Sequence, residues 1–262
     1  MFWGRHHPLF RRVLLTVNLL LPLVVLAAWV EGLAMCTLAL AAVAIGSHLL
    51  LLIAVLHPHC PWLGPVIRSF KTDRRAVWLT IDDGPGAQSA QLAEELRARG
   101  VCATFFVIGD KVTGPAALAM LAAGHTLGNH TQTHPRATMW MTHGRRLQRE
   151  LDGGAEALEC DAAKHFFRPP VGHKPPGLHP ALAARGWPCV MWTTGGRDGW
   201  AADPSPLVAR ILAAVEPGAI ILLHEGRPHS LRTILTVVDA LLPLGYEFVI
   251  PTHEELREAC IG

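Results

Sequence analysis

Two adjacent carboxylates, Asp82 and Asp83, follow the β-rich run Val77-Trp78-Leu79-Thr80-Ile81 and precede Gly84-Pro85. At a strand end a carboxylate can take a proton or bind a cation, and alternation along a strand lets two neighbours take different jobs. The same residues also read as an Asp-Gly turn. Further on, His130 and His134 stand four apart in Asn129-His130-Thr131-Gln132-Thr133-His134-Pro135, after the short run Thr126-Leu127-Gly128. Scattering 15 histidines over 262 residues yields about one such pair by chance, so spacing alone says little. The weight lies in their position at a second strand end. One carboxylate and two imidazoles leave open positions for water, the donor set of a catalytic rather than a structural metal site.

Three further segments carry polar residues at strand ends. Phe166-Phe167-Arg168-Pro169-Pro170-Val171-Gly172 sets an arginine behind two aromatics, where its guanidinium could hold a carboxylate. Met191-Trp192-Thr193-Thr194-Gly195-Gly196-Arg197-Asp198-Gly199-Trp200 runs from a strand into a glycine-rich loop. Ala219 to Leu223 reads as a buried strand ending in His224, a proton donor if an acid lies nearby. Trp140, Trp187 and Trp200 are candidates to stack on a sugar face. His229 is the nearest rival to His224. The remaining histidines (6, 7, 48, 57, 59, 125, 143, 165, 173, 179 and 253) read as solvated or capping.

The elements that must position these residues alternate. Strand-like runs at 76–81, 103–108, a short one ending at 128, 166–167, 189–193, 219–223 and 247–250 are interleaved with helical patterns. Those lie at 88–99, 115–123, 147–158, 180–184, 206–215, 230–242 and a final 253–260. This is β/α architecture with about seven or eight parallel strands, whose chemistry belongs at the strand carboxyl ends. About two hundred residues are few for a full eight-fold barrel, so a distorted or incomplete barrel is expected rather than an open sheet.

The body is preceded by something different. Half of the chain is apolar, and between Arg12 and Arg68 the only formally charged residue is Glu31. Runs 13–30 and 33–56 reach about 27 and 36 Å as helices, each comparable with a hydrocarbon core. The expected organisation is a membrane anchor over 1–56, an interfacial linker over 57–75 and a catalytic domain over 76–262. A signal peptide with Arg5 to Arg12 as its basic region is the competing reading. Leu33-Ala34-Met35-Cys36 resembles a lipoprotein cleavage site, but Met35 is too large, so Cys36 is expected as a helix residue. Basic residues flank the hairpin on both sides, Arg5, Arg11 and Arg12, then Arg68, Lys71, Arg74 and Arg75. The positive-inside rule then puts the body on the cytoplasmic side of the inner membrane, the periplasmic side being the alternative. Six cysteines (36, 60, 102, 160, 189, 260) without a dense framework suit a reducing compartment. A net charge of +2 without a basic, aromatic-studded stripe argues against a nucleic-acid partner.

In this order the five segments resemble the motifs of the polysaccharide deacetylase (NodB-homology) family of carbohydrate esterases, over roughly Val77 to the end. Thr80-Ile81-Asp82-Asp83-Gly84 is similar to its first motif and His130 to His134 to its second. Arg168-Pro169-Pro170 is similar to the third, Trp192 to Asp198 to a degenerate fourth, and Leu222-Leu223-His224 to the fifth. The resemblance implies a distorted (β/α) barrel that removes an N- or O-acyl group from a sugar. Asp83, His130 and His134 would hold one divalent metal, usually zinc in such enzymes, with cobalt or nickel as substitutes. Asp82 would be the general base, Arg168 its orienter, His224 the general acid and Asp198 the partner of His224. The backbone N–H of Val171 would face the oxyanion, with Trp192 and Trp200 near the sugar. Two departures bear on substrate: Val171 replaces a usual tyrosine, and Gly195 stands where an aspartate is common. A cytoplasmic body implies a membrane-associated or lipid-linked amino sugar. Competing readings are a deformylase or amidase on a small molecule, a deacetylase of extracytoplasmic cell-wall glycan, and a non-catalytic membrane scaffold.

Overall fold

The computed structural model describes residues 8–112, 116–158 and 166–258. Arg5, His6, His7, Cys160, His165 and Cys260, named above, lie outside them. Helices α1 (Pro8–Val30) and α2 (Ala34–Leu56) form an antiparallel hairpin. The helices end at Val30 and Leu56 as expected, and α1 starts earlier than Val13 because Arg11 and Arg12 join its first turns. Gly32 closes α1 with φ 71°. There Leu33 N–H donates to Ala28 O (3.0 Å) and Gly32 N–H to Trp29 O (3.1 Å), a left-handed cap that a side chain at residue 32 would strain. Both helices are long and apolar enough to cross a bilayer. Their outer surfaces are mostly hydrocarbon, with Leu19 72% and Met35 79% exposed, and the exposed His48 turns its ring back to Ala44 O of its own helix (3.0 Å). Inside the hairpin Asn18 Nδ2 donates to Ser47 Oγ (2.7 Å), a polar clasp worth about 1 kcal/mol in an apolar setting.

The hairpin is fastened to the body at its base. Leu14, Ala54, Val55, Cys60 and Leu63 pack together. Lys174 is fully buried and caps the carboxyl end of α2: its N–H donates to Val55 O (2.8 Å) and its Nζ to His57 O (2.6 Å) and Pro58 O (2.9 Å). A cation there meets the negative end of the helix dipole. Burial nevertheless pushes the Lys174 ammonium down to about 8.

The body is built on strands β1 (Ile67–Phe70), β2 (Ala76–Gly84), β3 (Thr104–Val107), β4 (Thr126–Asn129), β5 (Thr194–Gly195), β6 (Ile220–His224), β7 (Glu247–Phe248) and β8 (Leu256–Glu258). A parallel sheet runs β4-β3-β2-β6-β5, with β7 added to the start of β2. Single bridges continue the wall: Asn129 to Phe167, Phe167 to Cys189, Val190 to Ile67, and Ser69 to Ala219 just before β6. The circuit closes into a distorted (β/α) barrel. Prolines explain the distortion, since Pro169, Pro170 and Pro188 flank the runs at 166–167 and 189–193 and cannot donate to a ladder. Those two expected strands are therefore reduced to bridges.

Two other expectations are corrected. The segment 57–75 contributes β1, the stave that closes the barrel, with Leu63, Val66, Ile67 and Phe70 buried. The final segment is not a helix: a short 3-10 turn at His253–Glu255 leads into β8, which pairs antiparallel with β1.

Helices α3 (Ser89–Ala98), α4 (Ala116–Ala122), α5 (Gly144–Glu156), α6 (Leu178–Ala183), α7 (Ser205–Ala214) and α8 (Ser230–Leu241) surround the barrel. Strand β2 is buried on both faces and shows the period of two. Val77, Leu79 and Ile81 join the core shared with Leu92, Leu96, Ile234 and Val238 of α3 and α8. Trp78 instead packs with Phe106, Phe166, Val190 and Ile220 inside the barrel, its indole N–H donating to Thr104 Oγ1 (2.8 Å). His125 and His179 are buried rather than solvated, and His125 bridges Ala103 N–H and Ala93 O between strand and helix.

Candidate functional site

The alternation that sends Thr80 inward brings Asp82 to the barrel mouth, buried to 3% exposure. Asp83 should point away. It does not, because the register slips between Asp82 and Gly84 and Asp83 takes φ 75°. Both carboxylates therefore line one recess of about 80 Å³, together with His130, His134, Val171, Trp192 and His224. Of the five non-glycine residues with positive φ among the described residues, Asp83, His134 and Val171 line this recess, Thr131 lies in the loop between the two histidines and Arg197 lines the adjoining groove. Such conformations cost of order 1–3 kcal/mol each and persist only where the surroundings hold them.

Asp82 is held by Arg168, which is completely buried. The guanidinium donates to Asp82 Oδ1 (2.7 Å), Thr80 Oγ1 (2.9 Å), Val190 O (3.0 Å) and Met191 O (2.9 Å), and lies 4.2 Å above the Phe106 ring. Four acceptors in a fixed fork fix the carboxylate in place.

Asp83, His130 and His134 offer donor atoms that all lie within 4.8 Å of one another. Asp83 Oδ1 is 3.6 Å from His130 Nε2 and 3.3 Å from His134 Nε2. Ligands at zinc distances in a tetrahedral site are about 3.3 Å apart, so the set fits a small divalent cation. The tautomer fits as well, since His130 Nδ1 donates to Arg168 O (2.8 Å) and leaves Nε2 facing the site. Burial, then the nearby charge of His130, pushes His134 down to about 4, so its ring is neutral and able to ligate at neutral pH. Burial opposes charge on Asp83, yet the histidines around it outweigh that and hold its carboxyl well below the usual range.

The loop carrying the two histidines is pinned by groups that sequence reasoning missed. Glu150 of α5 accepts from Thr133 N–H (2.9 Å) and Thr133 Oγ1 (2.7 Å), and Asn129 Oδ1 accepts from Thr131 N–H (2.8 Å). Thr80 and Lys111 were also missed; Lys111 Nζ donates to Asp83 O (2.8 Å).

Across the recess His224 Nδ1 donates to Asp198 Oδ1 (2.7 Å), and Asp198 Oδ2 accepts the His224 backbone N–H (2.7 Å). Arg227 donates to Asp198 O (2.7 Å) and approaches Asp83 Oδ2 (3.6 Å), linking both halves of the site. Its place three residues after His224 was the one available signal. Beside it Glu225 is buried against Ser89, and desolvation pushes its carboxyl up to about 7. Gly195 is required by packing rather than by chemistry: a Cβ there would lie 2.0 Å from Leu222 O, because β5 is laid directly on β6.

Trp192 and Trp200 line a larger groove that continues from the recess, whereas Trp140 and Trp187 do not. Trp140 is bonded to Ala137 O and Trp187 packs with the core beside α6. His229 sits at the start of α8, outside both recess and groove, and no rival to His224 remains among the described residues lining the recess.

A family model described as polysaccharide deacetylase matches residues 70–190. A peptidoglycan-N-acetylglucosamine deacetylase of Bacillus cereus is 30% identical over 196 residues, 70% of this chain and 71% of that one. A chitooligosaccharide deacetylase of Bradyrhizobium is 34% identical over 193 residues, 66% of this chain and 87% of that one. Among solved structures, a family 4 carbohydrate esterase from Streptomyces lividans in complex with acetate superposes with a TM-score of 0.61 and 26% identity, covering 69% of this chain and 95% of that one.

Proposed function

The chain belongs to the polysaccharide deacetylase family, hydrolases that act on N-acetyl amide bonds of sugars, and from that premise we propose a membrane-anchored, metal-dependent deacetylase of a membrane-associated or lipid-linked amino-sugar glycan. The observation that carries the reading is the pairing of two oriented proton-transfer groups, Asp82 on Arg168 and His224 on Asp198, in one recess with a three-ligand cluster.

Asp83, His130 and His134 would hold a divalent cation, zinc being the favoured one for an N,N,O set, and such an ion supplies Lewis acidity to the acyl carbonyl and acidifies water. Asp82, unable to rotate away from Arg168, accepts the proton of the attacking water. The N–H of Val171, on a backbone stiffened by Pro169 and Pro170, faces the oxygen that becomes negative. His224 gives its proton to the departing nitrogen, and Asp198 keeps Nδ1 occupied so that Nε2 is the atom presented. Trp192 and Trp200 supply apolar faces for the sugar.

The anchor spans 1–56 and the body from 76 onward carries the chemistry, while 57–75 joins the two and adds β1 to the barrel wall. The bonds from Lys174 and from Arg11 to Pro176 O (3.1 Å) make α1 and α2 part of the molecule's base, which favours an anchor over a cleaved leader. Basic residues at both ends of the hairpin favour a cytoplasmic body.

The test is acetate release from N-acetylated glycans by the full chain in bilayer discs, with zinc added. Acetate is expected and formate is not; formate release, or no product from any amino-sugar substrate, overturns the reading.

A further inference from the structure

The groove that leads out of the recess has a volume of about 780 Å³, and its walls carry Arg136, Arg197, Arg210 and Arg227 but no carboxylate. Among the described residues, of these four only Arg227 is paired with nearby acids, Asp198 and Asp83. Arg210 donates to the carbonyls of Gly195 and Gly196 and has no ion-pair partner among the described residues. Arg136 and Arg197 are exposed, and among the described residues their side chains have no hydrogen-bond or ion-pair partner. A neutral glycan offers such a wall hydroxyl and carbonyl acceptors but no charge to pair with its cations.

The position of the groove supplies the second observation. Pro58 forms part of its wall, two residues beyond Leu56, where α2 ends. The Pro58 ring packs where a Cβ on Gly172 would stand, 2.7 Å away, and the His59 ring lies 5.2 Å from Trp192. Fastened by Lys174, this stretch cannot swing aside, so the groove runs from the catalytic recess to the end of an apolar helix, the level at which a bilayer surface would lie.

We propose that this arginine-lined groove binds the phosphate of a glycosyl phosphate lipid, a sugar joined through a phosphate to a lipid chain in the membrane. The inference rests on the deacetylase reading and names its substrate class. With the sugar in the recess and the lipid in the bilayer, the linking phosphate falls in the groove between them. Guanidinium forks bind phosphate oxygens with charge-assisted hydrogen bonds, and Trp192 lines both the recess and the groove where the two meet.

The test compares three probes on the full chain in discs of neutral lipid: an isoprenyl phosphate-linked N-acetylglucosamine, the neutral isoprenyl N-acetylglucosaminide, and water-soluble N-acetylglucosamine 1-phosphate. Binding is measured on metal-free protein and acetate release on zinc-loaded protein. The phosphate lipid should bind at least about tenfold more tightly than the neutral lipid. That ratio should fall towards one in the double variant Arg136→Gln, Arg197→Gln and recover in Arg136→Lys, Arg197→Lys. Equal binding of the two lipids, or a ratio unchanged in the glutamine variant, overturns the proposal. Soluble sugar phosphate binding as tightly as the lipid would assign the groove to a free metabolite and overturn the lipid part. Phosphate-dependent binding without acetate release would refute the deacetylase reading and leave the groove assignment standing; acetate release from both lipids without preference would do the reverse.

Discussion

Asp82 on β2 and His224 on β6 are register partners across one parallel ladder. Neighbouring parallel strands stand about 4.8 Å apart, so the proposed base and acid hang from adjacent backbones, and their spacing is a property of the sheet rather than of mobile loops. Arg168 behind one and Asp198 behind the other fix the direction in which each faces.

The first prediction concerns the base. Asp82→Asn keeps the size of the side chain and an acceptor for Arg168 but cannot take a proton. Deacetylation should fall by about 10²- to 10⁴-fold, the usual worth of a general base. Zinc content should stay unchanged, because the three ligands are untouched. Full activity in this variant contradicts the assignment.

A second prediction separates architecture from chemistry. Arg168→Leu removes a buried cation from four acceptors and leaves Asp82 buried without its partner, at a cost of about 3–5 kcal/mol. A lysine has one ammonium in place of the fork and should recover only part of this. Chemical unfolding of wild type and both variants checks the order.

Much of this site was legible in the sequence because strand ends are where a β/α barrel collects its chemistry. Asp82, Asp83, His130, Arg168 and His224 each follow a recognisable strand-like run. What was not legible depends on contacts between distant segments. The bulge that turns Asp83 back beside Asp82 follows from φ at one residue, and simple alternation predicts the opposite. Lys174, isolated in a proline-rich loop, gives no sign that it caps a helix more than a hundred positions earlier. Segment 67–70 is too short to announce itself as the closing stave. Arg136 and Arg197 lie in segments about sixty positions apart, and only the fold lays them along one groove.

A third prediction concerns pH. Burial, then the charges of Arg68, His57 and Lys174, pushes His59 down to about 4. The unfolded chain therefore takes up this proton first, near 6.5, and the folded chain only near 4. Stability linked to His59 is complete above about pH 6.5 and is lost as pH falls towards 4. Apparent Tm measured from pH 7 to 4 should decline less steeply in His59→Phe than in wild type. Parallel declines would contradict the role given to this residue.

The central claim is that Asp83, His130 and His134 together hold one divalent ion. Its most direct test is the metal content of the purified full chain after equilibration with zinc and removal of free ion. One zinc per chain is expected in wild type, with none retained by His130→Ala or His134→Ala variants that remain folded. A wild-type chain that keeps no ion, or variants that keep it as well as wild type does, would contradict the account.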